Sequence, residues 1–149
     1  TILVVINGTT DKTEEVVKTY FKKLPQLKFY QIPKNTISRQ RNYGVKKTGA
    51  SRILFLDADT ALRDSDTLEK YFAEVEQKDA DLAVALNYPL SNHWKDKAYF
   101  SAANLTTKVG KHIWPAAVAI NLYCKRSVFE KLKGFASVLT ITKSAIVLI

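Results

Sequence analysis

Asp57 and Asp59, with only Ala58 between them, close a short apolar run, Ile53 to Leu56. Carboxylates at that spacing past the end of a strand can be aimed at one bound cation. A hard divalent ion with oxygen ligands suits them, above all when substrate phosphates complete its shell. Asp-x-Asp is also common in turns and helix caps, so the pair gains meaning only from its surroundings. The unbroken run in RILFLDADT fits a strand buried on both faces, as in a parallel sheet. Open α/β sheets bind their ligands at the carboxyl ends of such strands.

The elements that must position this pair alternate along the chain. Ile2 to Ile6 (ILVVI) is a second β-branched run and a buried strand by the same reasoning, stopped by Asn7-Gly8. Asp11 with Glu14 reads as a capping box opening a helix. Its stripe is Val16, Val17, Tyr20, Phe21 and Leu24, and Pro25 ends it. Phe29 to Ile32 follows as a strand, completing a βαβ unit. Ser38 can cap a helix carrying Arg39, Arg41, Asn42 and Tyr43, with Gly49 as its terminal glycine. After the aspartates, Asp66 with Glu69 opens a helix with the stripe Leu68, Tyr71, Phe72 and Val75, and Leu82 to Leu86 is a strand. Trp94, Ala98, Ala102, Leu105 and Val109 recur at helical spacing up to Gly110. Pro115 to Cys124 is strand-like, and Ser127 with Glu130 opens a short helix closed by Gly134. This order predicts one α/β domain over residues 1–149, with a mainly parallel sheet flanked by helices on both faces.

Composition narrows the partners. The chain has 149 residues, 46% of them hydrophobic, enough for one domain with a real core. No apolar stretch is long enough to span a membrane as a helix. The chain opens on Thr1, shows no signal-peptide pattern and contains no Met, so a piece of a longer chain is expected. Cys124 is the single cysteine, which excludes an intrachain disulfide and fits a cytoplasmic location. A net charge of +9 favours an anionic partner: a phosphate-bearing small molecule, an anionic membrane face or nucleic acid. Lys18, Lys22, Lys23, Lys46, Lys47, Lys131 and Lys133 are spread along helices, which favours solvated faces over a nucleic-acid patch. His93 and His112 lack partners at ligand spacing and read as surface residues. Trp94, Tyr99 and Trp114 read either as core or lid residues or as the lining of an acceptor groove.

Four pieces in one order carry a resemblance. Gly8-Thr9-Thr10-Asp11-Lys12-Thr13 resembles the Gly-Ser-x-Asp-x-Thr turn of family-2 glycosyltransferases, nucleotide-sugar enzymes of the GT-A type with a Rossmann-like fold. Arg41-Asn42-x-Gly44 is similar to that family's Arg-Asn-x-Gly segment, and Phe55-Leu56-Asp57-Ala58-Asp59 to its Phe-Leu-Asp-x-Asp signature. Cys124 to Phe135, CKRSVFEKLKGF, is similar to its strand, basic residue, helix and Gly-Phe. The resemblance spans roughly residues 2–135.

It implies a metal ligand in Asp59, with Asp57 facing the sugar-nucleotide ribose or the metal shell. Arg41 would approach the nucleotide, Asn42 would brace the same loop, and the turn at Thr10 and Asp11 would shape the base pocket. It implies Mn2+ or Mg2+, a UDP-sugar donor by default with GDP as the variant, and an inverting transfer to an acceptor hydroxyl or a lipid phosphate. Such an enzyme is expected in the cytoplasm or at the cytoplasmic face of a membrane, associated peripherally and without nucleic acid.

The sequence departs from the family's pattern in three places. No strand precedes Ile2–Ile6, although the family's first strand lies between that strand and the Asp-bearing one, so a gap in mid-sheet is expected. Ile6 stands where an aspartate often faces the base. Ala136 to Ile149 (ASVLTITKSAIVLI) contains no acid, so no general base can be named. Val138 to Ile141 or Ala145 to Ile149 is a candidate to fill the gap. The alternative readings are a non-catalytic binding or scaffold domain of the same fold, and a basic module for nucleic acid or a membrane surface.

Overall fold

The computed structural model of this chain describes residues 1–113 and 121–135, with the side chains of 110–113 excepted. They fall into two units. The first takes Thr1–Ser51 and, of the described residues, 129–135; the second is Arg52–Val128.

In the first unit, β1 (Ile2–Asn7) and β2 (Leu27–Ile32) pair in parallel, in register from Ile2 with Leu27 to Asn7 with Ile32. The helix between them, α1 (Thr13–Thr19), completes the expected βαβ unit. The next helix, α2 (Ile37–Lys46), lies against β1. At Gly44 a Cβ would stand 3.4 Å from Val5, so the missing side chain lets helix and strand approach. Gln40 donates its amide to the Val5 carbonyl, and Ile6 and Val45 are buried at this seam.

The second unit holds β3 (Arg52–Leu56), β4 (Leu82–Val84) and β5 (Asn121–Lys125) in the order β3-β5-β4. Two helices precede and follow β4: α3 (Thr67–Gln77) and α4 (Trp94–Ile113). Its core is Val75, Ala80 and Tyr123, with Leu54, Tyr71, Phe72 and Ala83 packed around them. Tyr123 is 1% exposed and meets Phe72 edge-on. The Tyr71 hydroxyl donates to the Ala83 carbonyl at 3.0 Å, tying α3 to β4. The short helix α5 (Arg126–Lys131) leaves β5 without a break.

Several expectations are corrected. One ladder is parallel and two are antiparallel, where a mainly parallel sheet was expected. The reason lies in the connection after β4: α4 alone is long enough to carry the chain about 30 Å, and β5 re-enters between β3 and β4 from the opposite end. A gap in mid-sheet was expected between β1 and β3; among the described residues β1 pairs with β2 and β3 with β5. The tail segments proposed to fill it lie outside the described residues. β1 is only half-buried except at Ile6, because β2 is its sole strand neighbour among the described residues. Val16, Tyr20 and Phe21 of the expected α1 stripe are exposed, and the helix stops at Thr19. Thr36, not Ser38, caps α2 by accepting from the Arg39 N–H, and that helix ends at Lys46 before Gly49. α4 runs through Gly110 to Ile113.

Candidate functional site

Asp57 follows β3 directly, and its carbonyl accepts the Thr60 N–H at 3.1 Å. This closes a tight turn with Ala58 and Asp59 at its tip. Asp57 is half-buried and Asp59 exposed, so the two carboxylates sit at the carboxyl end of the strand as the sequence predicts. The same tripeptide occurs a second time, Asp79-Ala80-Asp81, at the amino end of β4. There Lys125 Nζ lies 2.8 Å from Asp79 and 2.9 Å from Asp81. Hydrogen bonding from Lys125 lowers the Asp79 pKa, and both carboxylates raise that of the lysine. The second pair thus shares one lysine at the protein surface. Identical spacing has opposite uses at the two ends of the strands.

Three asparagines stiffen the ground beside the first pair. Asn121 opens β5 opposite Leu56, the last residue of β3. Its buried side chain accepts from the Ala85 N–H and donates to Asn87 Oδ1, both at 2.7 Å. From α4, Asn104 accepts the Asn87 N–H at 3.1 Å and donates to the Asn87 carbonyl at 2.7 Å. The segment after β4 is therefore bound to both β5 and α4. Asn121→Ala strands a buried donor and acceptor, each costing about 1–3 kcal/mol when unpaired. Urea unfolding is expected to show a loss of about 2–3 kcal/mol, with coupling between positions 87 and 121 in a double-mutant cycle.

The other predicted residues lie in the first unit. Thr10 and Asp11 are exposed ahead of α1. Asp11 Oδ1 accepts the Thr13 N–H at 2.9 Å, and Thr13's hydrogen bonds hold the carboxyl below its ordinary pKa. No capping box forms with Glu14, since α1 has no side-chain cap. Arg41 and Asn42 are brought together on Phe135. Arg41 stacks over its ring at 5.4 Å, while Asn42 accepts its N–H at 2.9 Å and donates to its carbonyl at 2.8 Å. Gly134 has φ +74°, and a Cβ there would stand 2.8 Å from Asn42 Oδ1. Two of the sequence motifs are thus halves of one clamp. His93 is exposed, as expected. Trp94 and Tyr99 are 70% and 69% exposed, which removes the core reading for them. Trp114 lies outside the described residues.

The donor set fits a shared metal better than an enclosed one. Among the described residues no group of three or more His, Cys, Asp or Glu side chains could hold a metal ion. Two carboxylates in one exposed turn leave most of a six-coordinate shell to other oxygens, as a substrate diphosphate and water would supply. Asn121, Asn87 and Asn104 went unnoticed in the sequence, where no local pattern marks them. The reciprocal pair Asn7 and Asn35, 2.6 Å in both directions, was equally hidden.

The model of the family described as Glycosyl transferase family 2 matches residues 1–132. Among solved structures, the chain is similar to the mannosyltransferase PcManGT from Pyrobaculum calidifontis in complex with GDP-Man and Mn2+, at 17% identity and a TM-score of 0.62. That match covers 91% of this chain and 38% of the mannosyltransferase. No curated protein matches the chain.

Proposed function

The chain belongs to glycosyl transferase family 2, and on that premise we propose that it forms the donor-binding part of a nucleotide-sugar transferase. Its mixed α/β fold matches that of a GT-A glycosyltransferase. The observation that carries the reading is the turn at Asp57 and Asp59, which stands at the carboxyl end of β3 with Asp59 exposed at its tip.

In the proposed reaction an acceptor oxygen, from a saccharide hydroxyl or a lipid phosphate, forms a bond to the anomeric carbon as the bond to the diphosphate breaks. The transfer inverts the anomeric centre. Asp59 with Asp57 would hold Mn2+ or Mg2+, which when bound neutralises charge on the departing diphosphate. Arg41, stacked over Phe135, brings a permanent positive charge to the nucleotide side, and Asn42 holds Phe135 in place beneath it. Thr10 and Asp11 border the base. GDP stands beside UDP as a donor because the similar mannosyltransferase binds GDP-Man.

The setting proposed is the cytoplasm or the cytoplasmic face of a membrane. No helix among the described residues is long and apolar enough to cross one. Calorimetry with UDP and GDP tests the reading: heat of binding is expected with Mn2+ present and absent without it. Equal binding in both conditions, or none to either nucleotide, leaves the fold without this function.

A further inference from the structure

We infer a second anion site in the first unit, a cleft on α2 that takes a phosphate monoester carried on a small polyol. The cleft holds about 460 Å3 and lies between the β2–α2 loop and one face of the helix. Arg39, Tyr43 and Lys46 line it at helical spacing, Asn35 forms part of its rim, and Ile32 and Pro33 give it an apolar wall. That volume lies within the range of small-molecule sites and exceeds what a bare phosphate needs.

No carboxylate lines the cleft, and the sequence explains why. Residues 16–56 contain ten Lys and Arg and no Asp or Glu. Three lysines at or near other helices have acidic partners four residues earlier: Lys18 with Glu14, Lys70 with Asp66, Lys78 with Glu74. Arg39 and Lys46 have none at that spacing; the residues four before them are Asn35 and Asn42. Two cations on one helix face without an internal counter-charge invite an external anion.

The rim is already in place. Asn35 is held through both its N–H and its carbonyl by Asn7, at 2.6 Å each. Its side-chain oxygen accepts the Thr36 N–H at 2.9 Å, which leaves the amide NH2 as a donor. Lys47 adds charge nearby, 5.0 Å from the centre of the Tyr43 ring. A bound phosphate would meet the Arg39 fork, the Lys46 ammonium and the Asn35 amide with little reordering of the loop. Asn42 also lines the cleft, with its side chain committed to Phe135, so the site adjoins the residues of the donor reading but involves neither Asp57 nor Asp59.

The test is titration of glycerol 3-phosphate into the protein without nucleotide or metal, followed by amide chemical shifts. Perturbations are expected at residues 32–46. Arg39→Gln with Lys46→Gln should weaken binding by about tenfold or more. Lys22→Gln with Lys23→Gln, which removes the same charge, should leave it within about twofold. Asp59→Ala should bind as the parent does. Vesicles of phosphatidylcholine doped with phosphatidic acid separate the two sources. Their capture with the same Arg39 and Lys46 dependence assigns the site to a lipid headgroup, and their indifference assigns it to a free phosphorylated polyol. No binding, equal losses in the two double variants, or binding lost in Asp59→Ala would overturn the inference.

Discussion

Replacing Asp59 with alanine is expected to weaken Mn2+-dependent binding of the sugar nucleotide by about a hundredfold or more, since removing even a group behind a metal's ligands costs about 10–100-fold. The reasoning rests on scarcity. With only two carboxylates in the turn and no larger donor cluster among the described residues, no neighbouring side chain there can replace the lost oxygen. Asp59 sits at the exposed tip, and the backbone bond that closes the turn uses Asp57 and Thr60, so the substitution leaves the turn intact. The matched control is Asp81→Ala, the same residue in the same tripeptide at the other strand end. It releases one partner of Lys125 and costs about 1 kcal/mol or less of stability, with nucleotide binding unchanged. Calorimetry of both variants decides the matter: metal-dependent binding that survives at Asp59→Ala and disappears at Asp81→Ala would place the site at the wrong aspartates.

Gly8→Ala is expected to destabilise the protein by about 2–5 kcal/mol, from about 1–2 for a left-handed backbone and about 1–3 for forced contact. Gly8 has φ +62°, and a Cβ there would lie 2.6 Å from Lys34 Cβ and 2.8 Å from Lys34 Cα. Neither neighbour is a flexible side-chain end, so the β2–α2 loop itself must move. Its N–H also donates to the Ile32 carbonyl at 3.1 Å, which pins the exit of β1 to the exit of β2. Gly49→Ala, with nothing within 4 Å, should be neutral or slightly stabilising. Gly8→Asn separates the two costs, because asparagine tolerates the backbone conformation but brings the same Cβ. Denaturant midpoints showing Gly8→Asn as stable as the parent would remove contact from the account.

The sequence announced strands and motifs better than it announced what joins them. Ile53 to Leu56 and Ile2 to Ile6 were readable because β-branched and apolar runs have few other uses in a chain this polar. The placement of Asp57 and Asp59 at the end of a strand followed from their adjacency to such a run. Antiparallel entry of β5 was not readable, since the direction of a strand after a long connection depends on packing rather than on local pattern. Asn42 read as a helix residue bracing the nucleotide loop; its hydrogen bonds to Phe135 join positions 93 apart. Capping sequences misled for a related reason. Ser38 had a suitable side chain, but Thr36 reached the Arg39 N–H, and Asp11 took the Thr13 N–H without forming the box with Glu14.

The clamp on Phe135 also has a meaning in time. Among the described residues the second unit is continuous over Arg52–Val128, whereas the first needs residues 129–135 beside Thr1–Ser51. A ribosome releases the amino terminus first, so β1, β2 and α2 leave the tunnel early and wait. Their contacts with Phe135 arrive only after Arg52–Val128 has been synthesised. Completion of the first unit thus waits until translation has passed Phe135. A chain interrupted before that point lacks the contacts that Phe135 makes with Arg41 and Asn42.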